Sequence, residues 1–153
     1  MKYNFACVCY GNKYPVEYVQ KLFMMVTRNT TIPNLNFYVF TDHVKMHKMV
    51  FGDNLNIIQF PEHDLDGWWN KMQLFHPDVQ LEGTTLYMDL DVVITDNIDC
   101  FFTYKPEARF VGMNDFNPTT KQWNSSIMRF DQSMWHDKLW RRFRDDRTNL
   151  LRR

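Results

Sequence analysis

The amino-acid sequence predicts an α/β fold in which helices cover both sides of a mostly parallel central sheet. Short apolar runs typical of buried strands alternate with segments of helical periodicity. One apolar run, residues 84–88, has no polar alternation, which indicates a central strand covered on both faces. A length of 153 residues suits one domain with a sizeable core. We therefore expect residues 1–153 to form a single domain.

The predicted elements follow one another in a regular order. The strands are expected at residues 5–9, 36–41, 56–60, 84–88, 109–113 and 126–130, with antiparallel pairing among the later ones. Helical spacing predicts a helix beginning at Pro15, a short helix over residues 68–75 and a last helix capped by Ser133. Residues 92–94 are expected to continue extended, and residues 96–99 to turn.

Composition and charge exclude several classes of protein. Hydrophobic residues make up 44% and charged residues 24%, which excludes an intrinsically disordered chain. The formal net charge is zero, which argues against a nucleic-acid-binding protein. No apolar run approaches the roughly 20 residues of a membrane helix, and the N-terminus lacks a secretory signal pattern. Because the three cysteines show no paired spacing, we expect reduced thiols and a cytoplasmic protein.

The sharpest chemical feature is Asp89-Leu90-Asp91, which directly follows the apolar strand 84–88. On an extended segment the two carboxylates would point to the same side, and Leu90 would turn into the core. Carboxylates this close repel each other unless a cation lies between them. Their oxygens suit Mg²⁺ or Mn²⁺, which also favour phosphate oxygens. The alternative is a pair of turn acids that bond to local backbone amides.

Four segments stand in an order that one enzyme family shares. Residues 86–102, LYMDLDVVITDNIDCFF, contain the Asp-x-Asp strand and the turn after it. The other three segments are FACVCYGNKY (5–14), WNKM (69–72) and WNSSIM (123–128). Together they resemble the opening strand and nucleotide-binding loop, the lysine-bearing helix, the DxD segment and the N-S-G-V-type segment of GT-A-fold glycosyltransferases. The resemblance is closest to the glycogenin-like retaining family, and it implies a nucleotide-diphospho-sugar transferase fold.

The resemblance implies a metal site and its ligands. Asp91 would be the principal metal ligand, and Asp89 would share the metal and reach the ribose. The backbone of Leu90 would lie near the ribose, and Lys71 would approach the sugar or the diphosphate. The implied cofactor is Mn²⁺ or Mg²⁺, which neutralises the diphosphate as it leaves. A structural alternative is open for Lys71, whose stem can lie along neighbouring aromatic side chains.

The resemblance also implies residues for the base and the sugar of the donor. Tyr10 and Asn12 would contact the uracil, and Tyr14 could stack on it. Asp115 and Asn124 would line the donor-sugar pocket. Purely structural roles are the alternative, with the tyrosines packed in a loop and Asn124 serving a turn.

One part of the family's pattern has no match here. In the family, an H-x-G-x-K-P-W-type segment supplies a histidine as third metal ligand and a lysine for the diphosphate. We expect water or His136 in place of the histidine. Arg141, Arg142 and Arg144 could replace the lysine, since the segment 137–153 carries seven basic residues against three acidic ones.

The sequence thus predicts a metal-dependent glycosyltransferase that moves a hexose from a UDP-sugar to a carbohydrate or protein acceptor, with retention of configuration. Residues 1–102 would form the nucleotide- and metal-binding part. Residues 103–153 would form the donor-sugar and acceptor part, ending in a basic helix. Neither nucleic acid nor a membrane span is expected, and a homo-oligomer remains open.

Two alternatives remain open at this point. The first is a non-catalytic nucleotide-sugar-binding module of the same fold. The second is a phosphatase similar to the haloacid dehalogenases, with Asp89 as nucleophile, Asp91 as acid and the Asp145-Asp146 pair in support. Against the phosphatase, its motif normally opens the domain, whereas here three predicted strands precede it.

Overall fold

The computed structural model describes residues 1–117, 119–120, 122–131 and 136–150, with the side chains of residues 136 and 137 excepted. The strands are β1 (Tyr3–Cys9), β2 (Asn36–Thr41), β3 (Asn56–Gln59), β4 (Thr84–Met88), β5 (Phe110–Asn114) and β6 (Trp123–Asp131). The α-helices are α1 (Val16–Arg28), α2 (Val44–Phe51), α3 (Asp99–Thr103), α4 (Arg141–Asp145) and α5 (Arg147–Leu150). A 3₁₀ helix covers Gly67–Phe75, and a π-helical turn covers His136–Trp140.

All six strands belong to one sheet with the order β3-β2-β1-β4-β6-β5. The first four strands run parallel, whereas β6 is antiparallel to both β4 and β5. Met88 at the end of β4 lies opposite Ile127, so the beginning of β6 lies at the carboxyl end of β4. The edge strand β5 carries a register shift between Gly112 and Met113. The carboxyl ends of β1, β2 and β4 therefore share one edge of the sheet with the start of β6.

The core lies on both faces of the sheet, because β1 and β4 are mostly apolar and are buried along nearly their whole length. In β1, Phe5 and Cys7 pack on one face with Leu22 of α1, while Ala6 and Val8 pack on the other. The first face is covered by α1, α2 and α3, which contribute Val19, Leu22, Val26, Phe51 and Phe102. The second face is covered by the 3₁₀ helix and the chain on either side of it. The predicted mostly parallel sheet, with helical segments on both sides, is confirmed.

A third, smaller cluster joins the end of the described chain to the rest of the molecule. Trp140 and Phe143 are buried with Leu65 and pack against Trp69 of the 3₁₀ helix. Arg147 of α5 also forms an ion pair with Asp64 at 2.6 Å. No helix in the described part of the chain is long and apolar enough to cross a membrane.

Local structure differs from the prediction at α2, at α3 and in the last helix. The helix α2 was not predicted, and the segment that begins at Asp99 forms the helix α3 after the expected turn. Residues 92–94 lie outside the strands, and the pairing of β4 with β6 ends at Met88. The expected single last helix is divided into a π-helical turn, α4 and α5, and its expected cap Ser133 lies outside the described residues.

Candidate active site at the carboxyl edge of the sheet

The segment after β4 is a tight turn rather than an extended continuation of the strand. The Asp89 N–H still donates to the carbonyl of Ser126 in β6 at 2.9 Å, and the Val92 N–H then closes back on the Asp89 carbonyl at 3.2 Å. Leu90 is only 4% exposed and packs in the core, as expected. The extended conformation predicted for Asp89-Leu90-Asp91 was wrong. The buried Leu90 nevertheless anchors a turn that presents both carboxylates to the same cavity.

Asp89 is held by a lysine and a tyrosine. The Lys71 Nζ lies 2.8 Å from one carboxylate oxygen of Asp89 and 2.9 Å from the other. The same Nζ donates to the Ser125 Oγ at 3.0 Å, so it joins the 3₁₀ helix to β6. The Tyr87 hydroxyl donates to Asp89 from the preceding strand. Burial raises the pKa of Tyr87 well above its usual value, and the nearby Asp89 carboxylate adds to the shift. Tyr87 therefore remains a protonated donor, and Asp89 sits among donors suited to a carboxylate.

Asp91 is the more exposed of the two acids. One of its carboxylate oxygens accepts a hydrogen bond of 2.8 Å from the Tyr14 hydroxyl. This bond, together with burial, raises the pKa of Tyr14. The Lys13 Nζ lies 4.8 Å from the centroid of the Tyr14 ring, a cation–π distance. Asp91 thus keeps its second oxygen available, and positive charge lies close by.

These groups surround a cavity of about 80 Å³. Its lining residues come from β1, the loop after it, the 3₁₀ helix, β4 and the turn after β4, namely Val8, Tyr10, Lys13, Tyr14, Trp68, Lys71, Tyr87, Asp89, Leu90 and Asp91. Six of the nine residues predicted for the site therefore meet in one place: Tyr10, Tyr14, Lys71, Asp89, Leu90 and Asp91.

A second cavity of about 220 Å³ adjoins the first through Tyr10. Its far wall is formed by residues 60–70, and Asp42 at the end of β2 lies on its near side. The Asp42 carboxylate accepts the Gly11 N–H at 2.9 Å and so holds the loop after β1. Gly11 has a φ of +53°, a conformation that glycine adopts without strain. The two cavities form a continuous polar surface along the carboxyl edge.

The other three predicted site residues lie near this edge but outside the first cavity. Asn12 is exposed in the turn after β1. Asp115 follows β5, and its carboxylate accepts the Asn117 N–H at 3.0 Å. Asn124 lies at the start of β6, and its side-chain oxygen accepts the Ser126 N–H at 2.8 Å. Asp115 and Asn124 share the edge of the sheet with Asp89, because β5 ends where β6 begins. The side chains of Asp115 and Asn124 each accept a hydrogen bond from a backbone N–H two residues further along the chain.

Sequence reasoning missed four residues that shape the cavity. Tyr87 was assigned to the core alone, although it lies two positions before Asp89 and thus on the same side of β4. Lys13 and Trp68 line the cavity but were not assigned to the site. Ser125 contacts Lys71, whereas the prediction named its neighbour Asn124. Only Tyr87 carried a usable signal, the period of two along a strand. The others depend on contacts between distant segments.

The donor set at the cavity fits a hard divalent cation. Among the described residues, no group of three or more His, Cys, Asp or Glu side chains could hold a metal ion. Asp89 and Asp91 supply carboxylate oxygens, and Mg²⁺ is commonly bound by one or two carboxylates together with water and substrate phosphates. The side chain of His136, expected as a third ligand, lies outside the described residues.

The structure places the supporting acids of the phosphatase alternative, Asp145 and Asp146, outside the cavity around Asp89. Asp145 forms an ion pair of 3.3 Å with Arg144 on the exposed side of α4. Neither Asp145 nor Asp146 lines the cavity around Asp89. Arg141, Arg142 and Arg144, expected as substitutes for the family's lysine, do not line it either. The lysine that the structure brings to Asp89 is Lys71, and Lys13 also lines the cavity.

Comparison with known proteins decides the fold. No protein-family model matches the chain, and no curated protein matches it. Among solved structures, the glycosyltransferase GlyE of Streptococcus pneumoniae TIGR4 matches with a TM-score of 0.70 at 13% identity. The match covers 97% of this chain and 38% of GlyE. The galactosyltransferase LgtC, solved with donor and acceptor sugar analogues, matches with a TM-score of 0.67 at 11% identity. This match covers 94% of this chain and 63% of LgtC.

The chain has a glycosyltransferase fold of the GT-A type. These matches confirm the fold class predicted from the sequence. The chain spans about two fifths of the length of GlyE and less than two thirds of the length of LgtC. In this GT-A domain, Asp89 and Asp91 lie at the carboxyl edge of the sheet, where ligands of α/β folds bind.

Proposed function

We propose that this protein is a metal-dependent glycosyltransferase that moves a hexose from a UDP-sugar to a carbohydrate or protein acceptor. One observation carries the proposal. Within a GT-A fold, the turn after the central strand β4 presents two carboxylates and a lysine to one cavity at the carboxyl edge. This is a place where a divalent cation and a diphosphate can share the same oxygen-rich site.

Asp89 and Asp91 are proposed to hold Mn²⁺ or Mg²⁺. The bound cation would neutralise the negative charge that develops on the leaving diphosphate. Lys71 has two roles in this arrangement. It holds the Asp89 carboxylate in place through contacts of 2.8–2.9 Å, and it brings a positive charge to the side of the cavity that faces β6. Lys71 can therefore orient the metal ligand and assist the leaving group at the same time.

The base and ribose of the donor are assigned to the loop after β1. Tyr10 lines both cavities and Tyr14 faces Asp91, so an aromatic face is available beside the diphosphate position. Aromatic faces of this kind stack on nucleobases. The exposed Asn12 is proposed to reach the uracil from the same loop, and the Leu90 backbone to face the ribose. The 220 Å³ cavity beyond Tyr10 provides room for the base.

The sugar is assigned to the side of the edge formed by β5 and β6. Asp115 and Asn124 lie there, and Ser125 already contacts Lys71. For the amide and carboxylate to bind sugar hydroxyls, their present bonds to the Ser126 and Asn117 N–H groups must be shared or released. Transfer with retention of configuration is the proposed outcome, with the acceptor approaching on the face of the sugar that the diphosphate leaves.

The decisive experiment measures UDP binding by calorimetry with and without MnCl₂. We expect binding to the wild type to depend on Mn²⁺ and to weaken at least about tenfold in Asp91→Asn, since that change removes an ionised ligand. The control variant is Asp53→Asn, a matched change at an exposed acid away from the cavity. Wild-type affinity in Asp91→Asn, with a circular dichroism spectrum unchanged, would remove the metal site.

Donor turnover distinguishes the enzyme from a binding module. With Mn²⁺ and UDP-glucose or UDP-galactose, a transferase releases free UDP even when water is the acceptor. Metal-dependent binding without any UDP release would support the non-catalytic alternative.

A further inference from the structure

A third cavity, of about 290 Å³, shares no residue with the two cavities described above. Its floor is the first face of the sheet, and one wall is α3. The floor residues are Leu86, Val111 and Ile127, and the wall residues are Cys100, Phe101 and Tyr104. These side chains are mostly apolar, so the cavity suits the apolar part of a ligand.

One end of this cavity holds a buried cation. Arg129 lies directly opposite Leu86 in β4 and Val111 in β5, so its side chain stands on the same face of the sheet. It is only 5% exposed. Its Nη2 donates to the backbone carbonyls of Lys105 at 2.9 Å and Ala108 at 3.0 Å.

The guanidinium is not fully satisfied by these bonds. The Nε of Arg129 is buried and has no hydrogen-bond partner. Among the described residues, no carboxylate lies within ion-pair distance of it. Burial lowers the pKa of Arg129, and the negative charge of Glu107 opposes that shift. A buried donor without an acceptor costs free energy, which a bound acceptor would recover.

We propose that this cavity binds a small amphipathic carboxylate, with its carboxylate on the Arg129 guanidinium and its apolar body between α3 and the sheet. A carboxylate carries a single charge, which one guanidinium neutralises. A phosphate dianion would leave a second charge unpaired among apolar side chains. The volume is about twice that of an engineered apolar cavity that admits benzene, so a medium-length chain fits.

The test compares octanoate with 1-octanol by calorimetry on the whole chain. Both probes offer a similar apolar body, and only octanoate can accept from Arg129 with a charged group. We expect octanoate to bind at one site per chain and at least about tenfold more tightly than 1-octanol, because hydrogen bonds between charged groups are the stronger ones. Equal affinities, or saturable binding of neither probe, would overturn the proposal.

Two variants separate the charge from the cavity. Arg129→Lys keeps a cation but shortens its reach, and we expect octanoate to lose most of its advantage over 1-octanol. Ile127→Phe fills the floor while leaving Arg129 in place, and both probes should then fail to bind. Val50→Phe, a somewhat larger enlargement at an exposed position of α2, is the control for Ile127→Phe. If Ile127→Phe still binds octanoate with wild-type affinity, the ligand binds outside this cavity and the proposed site is wrong.

Discussion

At the scale of single residues, Asp89 is distinguished by the number of groups committed to it. It receives an ammonium group from the 3₁₀ helix, a phenol from its own strand and a backbone link to β6 through its N–H. Asp91, two residues later, has one tyrosine partner and greater exposure. The two acids therefore differ in rigidity. Asp89 is fixed by its surroundings, whereas Asp91 can adjust its carboxylate to a ligand.

Replacing Lys71 should show how much its contact with Asp89 stabilises the folded protein. In Lys71→Met, a mostly buried carboxylate loses its counter-charge, and we expect unfolding to become easier by roughly 1–3 kcal/mol. Urea denaturation measures the change. The control is Lys2→Met, because Lys2 pairs with Glu82 at the surface, where water replaces the lost partner. Equal changes in the free energy of unfolding would mean that the Lys71–Asp89 pair stabilises the fold no more than the exposed Lys2–Glu82 pair.

The three cysteines should differ sharply in reactivity. Burial raises the pKa of Cys7 well above its usual value and that of Cys9 to about 11, with Asp42 adding to the second shift. Cys100 is exposed. Because thiolates react and thiols do not, one thiol per chain should react with Ellman's reagent at pH 8 in the native protein, and three after denaturation.

The same shift sets a limit on alkaline stability. A Cys9 pKa raised from 9.0 to about 11 favours the neutral thiol in the folded protein, so its contribution to stability is complete below pH 9 and is lost as the pH rises through 11. The variant Cys9→Ala should show a smaller loss of thermal stability between pH 9 and pH 11 than the wild type. An identical pH dependence in the two proteins would contradict this.

At the scale of elements, strands were predictable where local pattern and burial agree. The strand β4 has no polar alternation and is buried on both faces from Thr85 to Met88, as its pattern indicated. The helix α2 was missed because most of its apolar residues are exposed, Met49 to 87%, while the polar His47 is buried beside Phe51. The turn at Asp89 was missed because it depends on where pairing with β6 stops. That information lies in a strand some 40 residues away.

A glycine before β4 provides a test of one such long-range contact. Gly83 has a φ of +94°, and a Cβ there would lie 2.2 Å from the backbone carbonyl oxygen of Lys2. We expect Gly83→Ala to lower the free energy of unfolding by more than about 2 kcal/mol, since backbone strain and a backbone clash act together. Gly52→Ala, with a φ of +55° in open space, should show only the strain. If both variants lose a similar free energy of unfolding, the clash expected between a Cβ at position 83 and the Lys2 carbonyl is absent.

At the scale of the whole molecule, one sheet joins the two halves that the sequence had separated by function. The strands β5 and β6 come from residues 103–153, yet β6 pairs with β4, and β4 pairs with β1. The carboxyl edge with the candidate site is thus shared between both halves, with Ser125 of the second half bonded to Lys71 of the first. The contact between Lys71 and Asp89 could not be predicted from the sequence, because it joins segments that are far apart in the chain and are brought together by this strand pairing.

This continuity predicts cooperative unfolding. We expect the urea transitions followed by tryptophan fluorescence and by far-ultraviolet circular dichroism to coincide, because the cores on the two faces share the strands β1, β2 and β4. Separate midpoints would show that the cluster around Trp140 and Phe143 melts as an independent unit, and would contradict the single-domain prediction.

The two outermost strands carry a consequence for behaviour at high concentration. On one side β3 has only four residues, and on the other β5 is interrupted by its register shift at Gly112. Short or irregular borders offer a poor template for a strand of another molecule, so the native protein should resist fibril growth. The hazard of aggregation lies instead in the unfolded chain, where the apolar runs of β1 and β4 lose their neighbours on both sides.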